Sequence, residues 1–179
     1  MITREQIVCT DHYQAVMRAM TTRGLLLGSY DAVGKPNVMT IGWGGVASIW
    51  GEPLWLVLVR PSRYTFRCIE HTSCFTVNVP TDDMGMVCAQ AGSRSGRDVN
   101  KAEELGLRME KGESVLAPLV VDCPITYECQ VVHSNDVLPR KLQDEILSGA
   151  YQDADYHRIY FGKILKASAV PDAEKLLAE

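Results

Sequence analysis

Short apolar runs separated by turn residues constrain the fold of this chain more than any other feature. Leu25–Tyr30 and Val38–Trp43 flank the segment DAVGKP at 31–36, and two such runs around a Gly/Pro turn predict a β-hairpin. Short runs joined in this way predict a meander of antiparallel strands. Five further runs are strand-like, namely Val46–Trp50, Leu54–Val59, Cys74–Val79, Ile125–Val132 and Arg158–Ala167.

Segments with helical spacing interrupt these strands. Apolar residues recur at that spacing between Asp11 and Gly24 and predict an amphipathic helix. Strands in hairpin succession with inserted helices favour an α+β barrel over a parallel sheet, and 179 residues fit a single domain over 1–179. Shorter helices are predicted at 61–70, 82–91 and 101–105, while 139–147 fits a helix or a long excursion and the tail from 171 fits a helix or a frayed end.

Charge and hydropathy exclude several classes of partner. The formal net charge is −4, so there is no basic excess to attract nucleic acid. The longest apolar run, Leu54–Val59, is too short to cross a bilayer, and Met1–Gln6 lacks the apolar stretch of a signal peptide. We therefore expect a cytoplasmic protein with no membrane partner. The six cysteines form no Cys-x-x-Cys pair and no zinc spacing with histidine, which predicts reduced, largely buried thiols and no metal site.

The segment Pro36–Ser48 is the first candidate for a binding site. Its three glycines and small residues around Trp43 allow the backbone to approach a flat ligand, and Thr40 and Ser48 offer hydroxyl groups at the rim. A corner of the barrel, where glycines allow the strand to bend and the tryptophan packs in the core, explains the same residues equally well.

The segment Arg60–Thr65 is the second candidate, because it follows an apolar strand and precedes a predicted helix. Free N–H groups at a helix start, together with the side chains of Ser62 and Arg63, suit a phosphate monoester. A solvated helix start capped by Ser62 is the alternative.

Two further features carry polar chemistry. The loop at 92–101 is rich in hydrogen-bond donors and glycine, although such a loop is often simply exposed. His157 begins the last long strand, where a lone histidine is usually a partly exposed polar residue.

Taken together, six segments in this order resemble the flavoredoxin and flavin reductase-like family of FMN-binding split barrels. The likeness extends from about residue 12 to residue 167. The segments are Asn37–Trp43, Arg60–Thr65, Phe75–Pro80, Ser95–Lys101, Cys123-Pro124 with Glu128-Cys129, and His157–Gly162.

The resemblance implies a six-stranded antiparallel Greek-key barrel with inserted short helices. It also implies a homodimer that binds FMN and passes electrons from NAD(P)H through the flavin to free flavin or to a redox partner protein. His157 would act beside the flavin ring, positioning the nicotinamide or stabilising reduced flavin. The predicted cofactor contacts are Met39, Thr40, Ile41, Gly42, Trp43, Ala47 and Ser48 for the ring and ribityl chain, Ser62, Arg63, Tyr64, Thr65, Ser93, Ser95 and Lys101 for the phosphate, and also Arg60 and Asn78.

Three alternatives stay open from the sequence. A non-catalytic FMN-binding electron carrier or redox sensor would use the same cofactor site. A barrel similar to pyridoxamine-phosphate oxidase would also bind FMN but oxidise an amine. A structural or interaction barrel would bind no cofactor.

Overall fold

The computed structural model describes residues 3–177, which contain ten β-strands and six α-helices. Two short 3-10 turns, Asp82–Met84 and Pro139–Lys141, join some of these elements. The strands are β1 (Glu5–Gln6), β2 (Leu25–Tyr30), β3 (Pro36–Ile41), β4 (Gly44–Ile49), β5 (Glu52–Val59), β6 (Cys74–Val79), β7 (Met109–Lys111), β8 (Pro118–Val120), β9 (Ile125–Asp136) and β10 (Arg158–Ala169). The helices are α1 (Tyr13–Thr22), α2 (Tyr64–Thr72), α3 (Gly85–Ser93), α4 (Lys101–Glu104), α5 (Asp144–Ala150) and α6 (Ala173–Leu176).

Seven strands form one antiparallel sheet in the order β3-β2-β6-β9-β10-β5-β4. The short strand β1 pairs with the far end of β10, and β7 pairs with β8 in a separate ribbon. The path contains the seven strand-like runs of the sequence, one strand more than the resemblance implied. The predicted α+β class, with an antiparallel sheet and inserted helices, is confirmed.

Side-chain alternation gives the sheet two apolar faces. Leu25 and Leu27 of β2 are fully buried in the main core, which also receives side chains from β3, β5, β6, β9, β10 and α1. Because successive side chains of a strand point to opposite faces, Leu26 lies in a second cluster on the outer face. One core that draws on strands from both halves of the path indicates that the sheet curls around it.

The outer cluster holds α3 against the first hairpin. Leu26 and Val38 contact Cys88 and Ala91 of α3 in this cluster. The hydroxyl of Thr40 donates to the carbonyl of Cys88 at 2.5 Å. The carboxyl end of α3, with the loop that follows it, therefore stands directly over β3.

Several element boundaries differ from the sequence prediction. Strand β3 ends at Ile41 rather than Trp43, because the chain turns at Gly44, where φ is 145° and a Cβ would lie 2.1 Å from the carbonyl oxygen of Leu56. Helix α2 begins at Tyr64 rather than at residue 61, because residues 60–63 form a turn. In this turn the backbone N–H of Arg63 donates a hydrogen bond to the carbonyl of Arg60 at 3.0 Å. The segment at 139–147 contains a 3-10 turn followed by the start of α5.

The cysteines are free, and five of them are buried while Cys9 is partly exposed, as the sequence predicted. Among residues 3–177 no helix is long and apolar enough to span a membrane. The single domain over 1–179 stays a prediction, and residues 1, 2, 178 and 179 lie outside the described part. The predicted helical tail is the short helix α6.

Candidate functional site

A cleft opens where β3, the turn after β5, the end of α3 and the start of β10 meet. It continues into a recess beneath the loop at 94–97, and Met39, Arg63 and Gly92 line both parts. The structure thus brings most of the predicted contacts to one place. The remaining lining residues are Thr40, Ile41, Gly42, Trp43, Leu58, Arg60 and His157 in the cleft, and Ser62, Tyr64, Thr65, Arg94, Ser95, Gly96, Arg97 and Lys101 in the recess.

The wall of the cleft carries an aromatic pair. The Trp43 side chain is 43% exposed, and its ring centroid lies 4.8 Å from that of His157. Tyr151 approaches the same indole edge-on, with ring centroids 6.3 Å apart. An exposed indole that packs against two other rings provides a flat apolar surface inside the cleft.

His157 is buried rather than partly exposed, with 8% of its surface accessible. Its Nδ1 lies 3.0 Å from the Tyr151 hydroxyl. Burial, together with the positive charge of Arg60, lowers the pKa of the imidazole to about 4. The ring is therefore neutral near pH 7.

Basic side chains dominate the recess. Arg63, Arg94, Arg97 and Lys101 line it, and no carboxylate is among its lining residues in the described chain. One of these cations, Arg94, pairs with Glu104 outside the recess. The local charge is therefore strongly positive in a chain whose net charge is −4.

Lys101 is the most unusual of these cations because it is only 4% exposed. Its Nζ donates to the carbonyls of Ala91 at 2.9 Å and Arg94 at 3.1 Å. Burial, with the nearby charge of Arg63, lowers the pKa of the ammonium to about 8. A buried ammonium bonded to neutral carbonyls is a costly arrangement that a bound anion would relieve.

The floor of the recess is a buried polar cluster. The Asn37 amide donates to the hydroxyls of Thr65 at 2.8 Å and Ser29 at 3.2 Å. Its Oδ1 is buried and has no hydrogen-bond partner among the described residues. Gly96 stands against this cluster, since a Cβ there would lie 2.1 Å from Asn37 Oδ1 and 3.0 Å from Tyr64 Cδ1.

Two of the predicted cofactor contacts already form hydrogen bonds with other residues of this chain. Arg60 donates to the carbonyls of Asp155 at 2.8 Å and Ala150 at 2.7 Å. The Ser62 hydroxyl donates to Asp155 Oδ2 at 2.5 Å. Both side chains therefore anchor the segment at 150–155, and a ligand phosphate would compete with Asp155 for Ser62.

Four predicted contacts lie outside the cleft and the recess. Ala47 and the exposed Ser48 lie on β4, and the exposed Ser93 donates to the Gln90 carbonyl at 3.4 Å. Asn78 is fully buried. Its side-chain nitrogen donates to the Leu26 carbonyl at 3.0 Å, and its side-chain oxygen accepts from the Val120 backbone N–H at 2.9 Å. Asn78 thus joins three strands of the fold instead of facing a ligand.

The sequence prediction missed several residues of the site. Leu58 and Gly92 line the cleft, and Tyr151 and Asp155 hold its wall. The spacing of residues carries no signal for Tyr151 or Asp155, because both belong to the excursion before β10. Gly92 lay in the donor-rich loop but offers no side chain by which it could be singled out.

Comparisons with known proteins show which family the chain belongs to. Flavoredoxin from Desulfovibrio vulgaris (Miyazaki F) shares 26% sequence identity and a TM-score of 0.69, over 87% of this chain and 78% of that one. Flavoredoxin from Methanosarcina acetivorans shares 25% identity with a TM-score of 0.69, over 86% of this chain and 76% of that one. These matches confirm the split-barrel fold.

A curated protein from Archaeoglobus fulgidus with the description "Uncharacterized protein" is 38% identical over 101 residues. The match spans 56% of each protein, so this chain covers little more than half the length of that relative. The sequence profile described as "Flavin reductase like domain" matches residues 17–178. The chain therefore belongs to the flavin reductase-like domain family.

Proposed function

We propose that this protein binds FMN with its phosphate in the basic recess and reduces it with NAD(P)H as a flavin oxidoreductase. Family membership already indicates a flavin-related function. The observation that carries the finer proposal is the buried ammonium of Lys101 in a recess that, among residues 3–177, is lined by three arginines and no carboxylate. Such a recess suits a phosphate dianion, and it adjoins a cleft with an aromatic wall.

The recess offers the phosphate both charge and hydrogen bonds. Arg63 and Lys101 would supply charge-assisted bonds, which are about twice as strong as neutral ones. The buried hydroxyl of Thr65 accepts from Asn37 and so keeps its own proton available for donation. Met39 and Gly92 line both the recess and the cleft, so a ligand that spans both parts would pass between them.

The cleft would position the flat part of the ligand. When bound, the flavin would supply the hydride and electron-transfer chemistry itself. Trp43 offers its exposed face to a planar group, and the main chain at Ile41 and Gly42 allows close approach. His157 would act by hydrogen bonding, because a neutral imidazole at pH 7 offers one donor and one acceptor.

A second open groove favours an enzyme over a non-catalytic carrier. It adjoins the cleft, shares Arg60 and Arg63 with it, and is bounded by residues 149–155. An electron carrier needs no binding surface for a second small molecule, whereas a nicotinamide-dependent enzyme does. The homodimer and the redox partner protein are further parts of this proposal that rest on the sequence resemblance, and the cytoplasmic location is a further part that rests on the apolar pattern of the sequence.

The test combines flavin titration with anaerobic reduction. The purified protein should bind FMN, and NADH or NADPH should bleach the bound flavin in stopped-flow absorbance. His157→Ala should slow this reduction about tenfold, the effect of losing about 1.4 kcal/mol in the transition state, while FMN affinity stays within about twofold.

Each outcome separates the candidate functions. Absence of FMN binding would refute the proposal, and binding without bleaching by either nucleotide would indicate an electron carrier. Oxidation of an amine substrate by the bound flavin would favour the oxidase alternative. A His157→Ala protein that binds FMN poorly yet reduces it at the normal rate would show that His157 serves binding instead.

A further inference from the structure

Tyr151 stands behind the imidazole of the cleft. Its side chain is 5% exposed, and its hydroxyl lies 3.0 Å from His157 Nδ1, its one hydrogen-bond partner in residues 3–177. The other ring nitrogen, Nε2, forms no hydrogen bond within that range, and His157 lines the cleft. The phenol and the imidazole therefore form an isolated pair with one nitrogen left for a ligand.

The direction of this hydrogen bond follows from the number of donors and acceptors that the imidazole and the phenol have. A neutral imidazole has one N–H donor and one acceptor nitrogen, while a phenol has a single O–H donor. If Nδ1 were protonated, it would donate to the phenol oxygen, and the buried phenol proton would lack an acceptor, at the cost of desolvating an unpaired donor. Donation from Tyr151 to Nδ1 satisfies both groups and leaves the proton on Nε2.

We propose that Tyr151 is a positioning residue that holds His157 in the Nε2–H tautomer, so that the imidazole presents an N–H donor to the ligand in the cleft. The proposal rests on the proposed function for the identity of that ligand, but not for the tautomer itself. It gives the geometry of the wall a chemical purpose: a donor that keeps the same polarity throughout the pH range in which the ring is neutral.

The Tyr151 ring is itself held in place. The guanidinium carbon of Arg60 lies 5.2 Å from the ring centroid, and the same guanidinium bonds the carbonyls of Ala150 and Asp155 on either side of Tyr151. Trp43 also packs against this ring edge-on, with ring centroids 6.3 Å apart. A clamped phenol loses little further side-chain entropy when it bonds His157, which favours a single geometry.

Two-bond proton–nitrogen correlation spectra of the flavin-free protein read the tautomer directly. The wild type should show His157 as a single Nε2–H form near pH 7, and Tyr151→Phe should populate the Nδ1–H form as well. Tyr156→Phe is the matched control, because its ring lies 5.1 Å from that of Tyr151 and its hydroxyl has no hydrogen-bond partner in residues 3–177. A wild-type Nδ1–H form, or an unchanged ratio in Tyr151→Phe, would overturn the proposal.

Reduction kinetics supply a second readout. Tyr151→Phe should slow reduction of bound FMN about fivefold, the effect of one neutral hydrogen bond, with FMN affinity unchanged and Tyr156→Phe at the wild-type rate. An unchanged rate in Tyr151→Phe despite a changed tautomer would refute the role of the donor in the reaction. A wild-type protein that binds no flavin would refute the proposed function and leave the spectroscopic test of the tautomer intact.

Discussion

Replacing Lys101 by methionine tests the phosphate site most directly. Methionine keeps the length of the buried stem and removes the ammonium, together with its bonds to the Ala91 and Arg94 carbonyls. The affinity for FMN should fall about tenfold to one hundredfold, because a hydrogen bond to a charged group contributes about 1.5–3 kcal/mol. Riboflavin, which lacks the phosphate, should bind within about twofold of its wild-type affinity.

The stability of the flavin-free protein should change little in Lys101→Met. The lowering of the pKa from 10.5 to about 8 corresponds to about 3 kcal/mol of unfavourable charge burial at neutral pH. The two carbonyls that lose their donor cost about 1–3 kcal/mol in the other direction. Because these contributions oppose each other, urea unfolding should give a free energy within about 2 kcal/mol of the wild type.

Fluorescence titration at several pH values measures the affinities of the wild type and of Lys101→Met for both flavins. In the wild type FMN affinity should decline as pH rises above about 8, because the ammonium of the flavin-free protein loses its proton there. Lys101→Met should lack this decline, and the exposed Lys111→Met should behave as the wild type. Equal losses of affinity for FMN and riboflavin in Lys101→Met would refute the reasoning.

Two further substitutions probe the loop and the histidine. Gly96→Ala should weaken the affinity for FMN about tenfold more than the affinity for riboflavin, because its Cβ would collide with Asn37 and displace the loop. Gly85→Ala is the control because the space around Gly85 is open. An unchanged FMN titration in Gly96→Ala would contradict this prediction. Between pH 6.5 and about 4 the unfolded chain binds a proton that folded His157 does not, so stability falls as pH falls through this window. Urea unfolding at pH 7 and pH 4.5 should show a smaller acid loss for His157→Gln than for the wild type or His71→Gln, and equal losses in all three would refute this origin.

The sequence predicts the barrel well because alternation is a local property of a strand. Each of the seven main strands overlaps an apolar run, and the first hairpin turns where Gly34 has a φ of 80°. Three strands escaped prediction: β1 has two residues, and β7 and β8 have three each. Runs this short carry no period, and only their pairing in the folded chain defines them.

The candidate site is predictable where it lies on strands and on the loop with many donors. His157 lines the cleft and Lys101 lines the adjoining recess. The roles of both residues stay predictions. Their burial was not predictable, because it depends on how Tyr151 and the end of α3 pack against them in the folded chain, which residue spacing does not record. The commitment of Arg60 and Ser62 to the segment at 150–155 depends on a contact across about ninety residues of chain, and a single sequence contains no record of it.

The weak attachment of residues 144–155 allows the site to open at a lower free energy than the barrel unfolds. Helix α5 buries none of its residues, so the segment is held mainly by Arg60, by Ser62 and by the packing of Tyr151. Elements with few buried apolar contacts open at a lower free energy than the core they rest on. Local unfolding of residues 144–155 would therefore expose the imidazole wall while the strands stay paired, and the free energy of that opening, rather than global stability, would set how long the site stays assembled.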